Sequence, residues 1–142
     1  MKIKYGNRIS VDEFNFLRKT VGWGEIERNL AKKTIENALF IITAVIDEKV
    51  IGLTRVSGDG GYTIIITDVI VLPEYQGKGI GKALMTEAMK YIKEQFLKKG
   101  QGVSVNLMSA KGRESFYKKF GFEERPNEKV GAGMAQWISC EL

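Results

Sequence analysis

From Gln76 to Lys82 the chain reads Gln-Gly-Lys-Gly-Ile-Gly-Lys, a mixture of glycine and lysine that can hold a phosphate. Before it lies an apolar β-type run, Tyr62 to Leu72, closed by Pro73. After it an amphipathic helical pattern runs from Ile80 to Lys99. A strand feeding a glycine loop that opens a helix aims unpaired N–H groups, and the positive end of the helix dipole, at whatever the loop holds. Glycine allows close backbone approach and positive φ without a Cβ clash. Gln76, Gly77, Lys78, Gly79, Ile80, Gly81 and Lys82 are therefore the candidate anion-binding residues.

Two familiar phosphate loops fail against this stretch. The pattern G-x-x-x-x-G-K-[ST], set on Gly81-Lys82, requires glycine at Gln76 and a hydroxyl residue at Ala83. The dinucleotide pattern G-x-G-x-x-G, started at Gly77, requires glycine at Lys82. What remains is Q-x-x-G-x-G following Val-Leu-Pro-Glu-Tyr; the plain alternative is an ordinary glycine-rich strand–helix turn.

The chain has no histidine and one cysteine, Cys140. Nucleophilic triads that need histidine are excluded, as are the usual zinc sets containing it. No internal disulfide can form, and a reducing cytoplasm is the expected location. Lys and Arg total 22 against 17 acidic residues, a net charge of +5. That balance suits an anionic ligand and also nucleic acid, but the basic residues are scattered and make no nucleic-acid tail. Lys2 and Lys4 are followed by no apolar core region, so no signal peptide is expected. The longest apolar run is far below a membrane span.

The elements that must position the loop can be read from periodicity. With 142 residues, a single domain over 1–142 with a real core is expected. Ile3 to Tyr5 makes a short strand, and Ser10 with Glu13 forms a capping box for a helix carrying Phe14, Leu17 and Val21. Gly22-Trp23-Gly24 breaks that helix, and Trp23 reads either as a lid on the helix pair or as a substrate wall. A second helix spans Glu25 to Asn37, with Ile26, Leu30 and Ile35 inward. Leu39–Ile46 and Val50–Val56 form a hairpin about Asp47-Glu48-Lys49, and Ser57 to Gly61 turns into the central strand. The helix after the loop lays Ile80, Leu84, Ala88, Ile92 and Phe96 in one stripe, and Gly100 and Gly102 end it. Val103–Leu107 follows as a parallel strand. A short helix over Lys111–Lys119, stopped by Gly121, precedes strands at Phe120–Glu124 and Met134–Ser139.

The second informative stretch is Ser115-Phe116-Tyr117-Lys118-Lys119-Phe120-Gly121-Phe122. Phe116 and Phe120, four apart, share one helical face, and Tyr117 points away from it. Q-x-x-G-x-G after V-L-P-E-Y resembles the acetyl-CoA pyrophosphate loop of the GNAT acetyltransferase superfamily, [QR]-x-x-G-x-[GA]. The Tyr117 segment is similar to the Y-x-x-x-G-F stretch of the same enzymes. The resemblance covers nearly the whole chain and is most specific over Val69–Lys82 and Ser115–Phe122.

That resemblance implies an α/β (α+β) GNAT fold, a mixed central sheet of six to seven strands with helices on both faces. It implies that the backbone of Val69, Ile70 and Val71 pairs with the pantetheine arm of acetyl-CoA, and that Gly77 to Lys82 takes the pyrophosphate. Tyr117 would protonate the departing thiolate. One position departs from the family: many members carry Asn seven residues before the Tyr, where this chain has Ala110, leaving Ser109 or backbone as a replacement.

The implied reaction is acetyl transfer from acetyl-CoA to a primary amine. An alkylammonium must lose a proton before it can attack a thioester. Asp68, a carboxylate on the apolar central strand, is a candidate base whose pKa burial would raise; the alternative is a structural Asp tied to a neighbouring loop. With no metal ligand set and no covalent nucleophile evident, direct transfer is expected. The expected partners are a small-molecule or peptide amine and, as one assembly open to the chain, a second copy in a homodimer, with no nucleic acid and no membrane. Two rivals remain: a catalytically weak acetyl-CoA-binding sensor or interaction module, and a basic nucleic-acid-binding domain.

Overall fold

The computed structural model describes residues 2–98 and 100–140. The chain divides into two compact units, Met1–Met108 and Ser109–Leu142. The first holds a five-stranded sheet of order β1-β2-β3-β4-β5, made of β1 (Lys4–Gly6), β2 (Phe40–Ile46), β3 (Lys49–Gly58), β4 (Thr63–Val71) and β5 (Ser104–Leu107). Every pairing is antiparallel except β4 with β5, which a crossover helix connects as the parallel arrangement requires.

The β2–β3 hairpin closes through Asp47-Glu48, with Ile46 opposite Lys49. Both turn residues have positive φ, 48° and 64°, the two-residue geometry whose twist matches that of the flanking strands. Glutamate in that conformation is strained. Glu48→Gly should therefore raise the unfolding free energy by about 0.5–1 kcal/mol, seen as a higher urea midpoint. At the next turn the Asp59 carboxylate accepts from Gly61 N (2.8 Å) and Thr63 N (3.2 Å). Gly58 beside it must be glycine, because a Cβ there would lie 2.2 Å from the Thr63 carbonyl oxygen.

Helix α1 (Val11–Thr20) starts at the capping box: Ser10 Oγ accepts from Glu13 N, and Glu13 accepts from Ser10 N. Phe14 and Leu17 are its buried residues. Helix α2 is Arg28–Glu36, three residues shorter at its start than the sequence pattern suggests. The Glu27 carboxylate caps it by accepting from Asn29 N and Leu30 N. Those bonds hold the carboxyl below its ordinary pKa. Ala31 is the buried residue and Leu30 is 58% exposed, so the expected inward position of Leu30 is corrected by one place.

Helix α3 (Ile80–Phe96) buries Ile80, Leu84, Met85, Ala88 and Ile92. Phe96 is half-buried, and the helix stops there rather than at Lys99, which lies outside the described residues. Leu97 is already extended. A Cβ on Gly52 would meet the Leu84 side chain at 3.1 Å, so α3 lies on the Gly52 face of β3. Arg55, three residues on and therefore on the opposite face, reaches the α1 side through Asp68 and Arg18. The sheet thus carries helices on both faces.

In the second unit, helix α4 is Glu114–Lys118. It does not begin at Lys111, because Gly112 has φ 87°, which no helix interior admits. The expected strands Phe120–Glu124 and Met134–Ser139 do not form among the described residues, so the sheet has five strands and not six or seven. Strand propensity reflects fit to a half-buried pleated surface. Met134, Trp137 and Ile138 are instead 89%, 90% and 79% exposed, and Phe122 packs edge-on to Tyr117. No helix among the described residues is long and apolar enough to cross a membrane.

Candidate active site

The glycine loop begins where β4 ends. After Val71 the chain makes a single 3₁₀ turn, Pro73–Tyr75, and Gln76 donates through Nε2 to the Val71 carbonyl at 2.9 Å. That bond ties the loop to the end of the strand. Gly77 and Gly79 both have positive φ, 77° and 80°, and Gly79 is the left-handed N-cap of α3 with no side-chain cap. The first intrahelical bond is Ala83 N to Gly79 O, 3.1 Å. Among the described residues none of the amides from Gly77 to Lys82 has a protein acceptor. A run of unpaired amides at the positive end of a long helix is an anion cradle. Apart from the adjoining residues of the chain, nothing lies within 4 Å of where a Cβ on Gly77 or Gly79 would be, so the run of amides is open. Lys78 arches over the Tyr75 ring, 5.7 Å from its centroid, and Lys82 is exposed.

Val69, Ile70 and Val71 lie on β4 just before this loop. The β3–β4 register pairs Leu53 with Ile70 and Arg55 with Thr67. Two residues, Asp68 and Val69, thus stand opposite the single residue Thr54, a β-bulge. Asp68 takes the strain of it at φ 54°; Asp is among the few side chains that tolerate this region. Its carboxylate is nearly buried and engaged on both oxygens: Arg18 Nη1 donates to Oδ1 (3.3 Å) and Arg55 Nε to Oδ2 (2.6 Å). Arg55 also donates to Ser57 Oγ (2.7 Å), and Arg18 Nε to the Gly24 carbonyl (3.1 Å). The Arg18 guanidinium sits 5.6 Å from the Trp23 ring. Trp23 is thereby held on the α1–α2 turn by a cation.

Sequence reasoning named Asp68 but missed Arg18 and Arg55. A signal for Arg55 existed: it is the one charge in the apolar run Val50–Val56, and a carboxylate on the neighbouring apolar strand needs a cation. Thr54, opposite the bulge, is buried with a hydroxyl that has no protein partner.

Tyr117 lies in the second unit, on α4. Phe116 and Phe122 pack edge-on to its ring, with centroids at 5.0 and 6.5 Å. Burial pushes its phenol pKa above the ordinary tyrosine value, against a smaller opposing pull from Arg113. The group therefore keeps its proton through the neutral range. Near Ala110, where the family often has Asn, the Ser109 hydroxyl donates to the Ala110 carbonyl at 2.8 Å.

A separate groove of about 610 Å³ lies between α1 and the turn into α2, lined by Asp12, Asn15, Phe16, Lys19, Glu25 and Ile26 among others. Its acids are already engaged. Asp12 pairs with Arg28 (2.9 Å), Glu25 with Lys19 (3.4 Å), and Glu27 caps α2. It gathers no free group that could do chemistry.

The GNAT acetyltransferase domain model matches residues 37–124, from just before β2 to just beyond α4. An uncharacterized N-acetyltransferase, ycf52, of Pyropia yezoensis is 28% identical over 127 residues, covering 87% of this chain and 70% of its own. A Staphylococcus aureus protein of unknown function, described as a probable acetyltransferase, superposes with TM-score 0.85 at 33% identity over 96% of this chain and 100% of that one. A GNAT family acetyltransferase from Streptococcus pneumoniae gives TM-score 0.76 at 31% identity, covering 99% and 98%. With that domain model matched over more than half of its length, this chain belongs to the GNAT acetyltransferase family.

Proposed function

We propose that the protein transfers the acetyl group of acetyl-CoA directly to a primary amine. The observation that carries this reading is the open run of unpaired amides from Gly77 to Lys82 at the head of α3. Such a run fits a pyrophosphate better than any side-chain chemistry the chain offers. Acetyl-CoA supplies the acetyl group as a thioester. Gly77 to Lys82 bind its pyrophosphate, with Lys78 and Lys82 adding positive charge, and Gln76 holds the loop to β4. The backbone of Val69, Ile70 and Val71 takes the pantetheine arm beside the bulge. Tyr117 gives its proton to the departing thiolate as the carbon–sulfur bond breaks, the acceptor nitrogen gives up its own proton to solvent water as the amide forms, and Tyr117 regains a proton from solvent. No covalent acyl-enzyme is needed, and Cys140 has no part. Both oxygens of Asp68 are already engaged by guanidiniums; a role for it other than base is argued below.

The test is thiol release from acetyl-CoA against polyamines, amino acids, aminoglycosides and peptide N-termini. Saturable release with at least one amine class, with the acetylated amine recovered, is the expected result. Acetyl-CoA binding with no amine turned over would replace the enzyme by an acetyl-CoA sensor. No binding at all would remove the reading.

A further inference from the structure

Asp68 is a nearly buried acidic side chain on β4, in a backbone conformation that strands do not use, and gripped by two arginines from different elements. Strain of this kind persists only where its surroundings over-determine it. Here they do. Arg55 comes from β3 and is itself held by Ser57; Arg18 comes from α1 and is itself held by the Gly24 carbonyl and the Trp23 ring. One carboxylate thus joins β3, β4, α1 and the α1–α2 turn. The partners stand 13 and 50 residues away in the chain.

We propose that Arg18, Asp68 and Arg55 are positioning residues, a clasp that keeps the β4 bulge in the shape that presents Val69, Ile70 and Val71 to the acyl donor. The inference rests on the acetyl-CoA reading for its functional consequence, but its structural core does not. Without the clasp, β4 can shed the bulge. A residue with positive φ would relax to ordinary strand geometry, and every side chain beyond it would exchange faces. Ile70, opposite Leu53, and Val71, opposite Gly52, would then present the wrong edge of the backbone. The clasp also fixes Trp23, so the turn after α1 is set by the same ion group as the strand.

Asp68→Asn separates this role from proton transfer. Asparagine tolerates left-handed φ as well as aspartate does, and it preserves the size while removing the charge that both guanidiniums share. The clasp predicts at least tenfold faster amide exchange at Val69, Ile70 and Val71, with exchange in the middle of α3 unchanged. It predicts acetyl-CoA affinity about tenfold weaker and a lower kcat, while the acidic limb of the pH–rate profile stays where it was. A general base predicts the reverse: unchanged exchange and affinity, and a displaced or missing limb. Adding Arg55→Gln to Asp68→Asn should cost little more than either alone, since each removes the same clasp. Should Asp68→Asn fold poorly, Arg18→Lys supplies the same readouts more mildly, as lysine keeps the charge without the planar fork. Exchange at Val69–Val71 unchanged in a folded variant overturns the clasp. If the wild-type protein binds no acetyl-CoA, that failure belongs to the proposed function, and the exchange data still decide for or against the clasp.

Discussion

Replacing Tyr117 with phenylalanine is expected to lower turnover by about 10²–10⁴-fold, the usual worth of a positioned general acid. The substitution removes one oxygen and keeps the ring that Phe116 and Phe122 pack against. Folding and acetyl-CoA affinity should therefore hardly change. Because in the proposed reaction the proton is given only as the thiolate departs, kcat and kcat/KM should fall together. The pH dependence has a sign as well. Burial raises the phenol pKa, so the wild-type rate should keep its proton donor past the pH at which an ordinary tyrosine ionises. Any loss at high pH that comes from this group should vanish in the phenylalanine variant. Wild-type turnover in a chemistry-limited assay of Tyr117→Phe would remove Tyr117 as the donor; lost acetyl-CoA affinity would make its hydroxyl a binding contact.

Gly79→Asp should abolish acetyl-CoA binding. Apart from the adjoining residues, nothing lies within 4 Å of the new Cβ, so a clash with the rest of the chain is not the cause. Aspartate can take the φ of 80° that Gly79 has as N-cap of α3, at a cost of about 1–2 kcal/mol. The larger effect expected is that of a carboxylate at the mouth of the run of unpaired amides proposed to take the pyrophosphate. A negative charge there competes for the same N–H groups and repels a pyrophosphate. Gly79→Ala is the control: it carries the backbone cost without the charge and should lose far less affinity. Calorimetry on both folded variants separates the two, and unchanged affinity in Gly79→Asp would mean that the loop does not hold the phosphates.

What could be read from the sequence was local chemistry. The capping box of Ser10 and Glu13, the Asp47-Glu48 hairpin, the α3 stripe and the glycine loop each depend on residues a few positions apart, and each stands where periodicity and turn chemistry put it. Helix α2 starts later than its pattern suggests because Glu27 serves as its cap, and its inward face runs through Ala31 and Ile35, four residues apart, leaving Leu30 outward. The runs Phe120–Glu124 and Met134–Ser139 have strand composition, but composition cannot supply a ladder partner. The Asp68 cluster was half legible. An isolated carboxylate on an apolar strand announces a buried charge, yet its two cations come from distant parts of the chain, and only the bulge and the packing of α1 bring them to it.

The most direct test of acetyl transfer follows the acetyl carbon itself. The full chain is incubated with acetyl-CoA labelled in the acetyl group and with an amine active in the thiol-release panel, and both amine and protein are analysed by mass spectrometry. The label should appear as an amide on the amine, mole for mole with released thiol, and at no time on the protein. Label accumulating on the chain, at Cys140 or elsewhere, with kinetics fast enough to precede the amide, would contradict direct transfer; thiol release without labelled amide would contradict amine acetylation altogether.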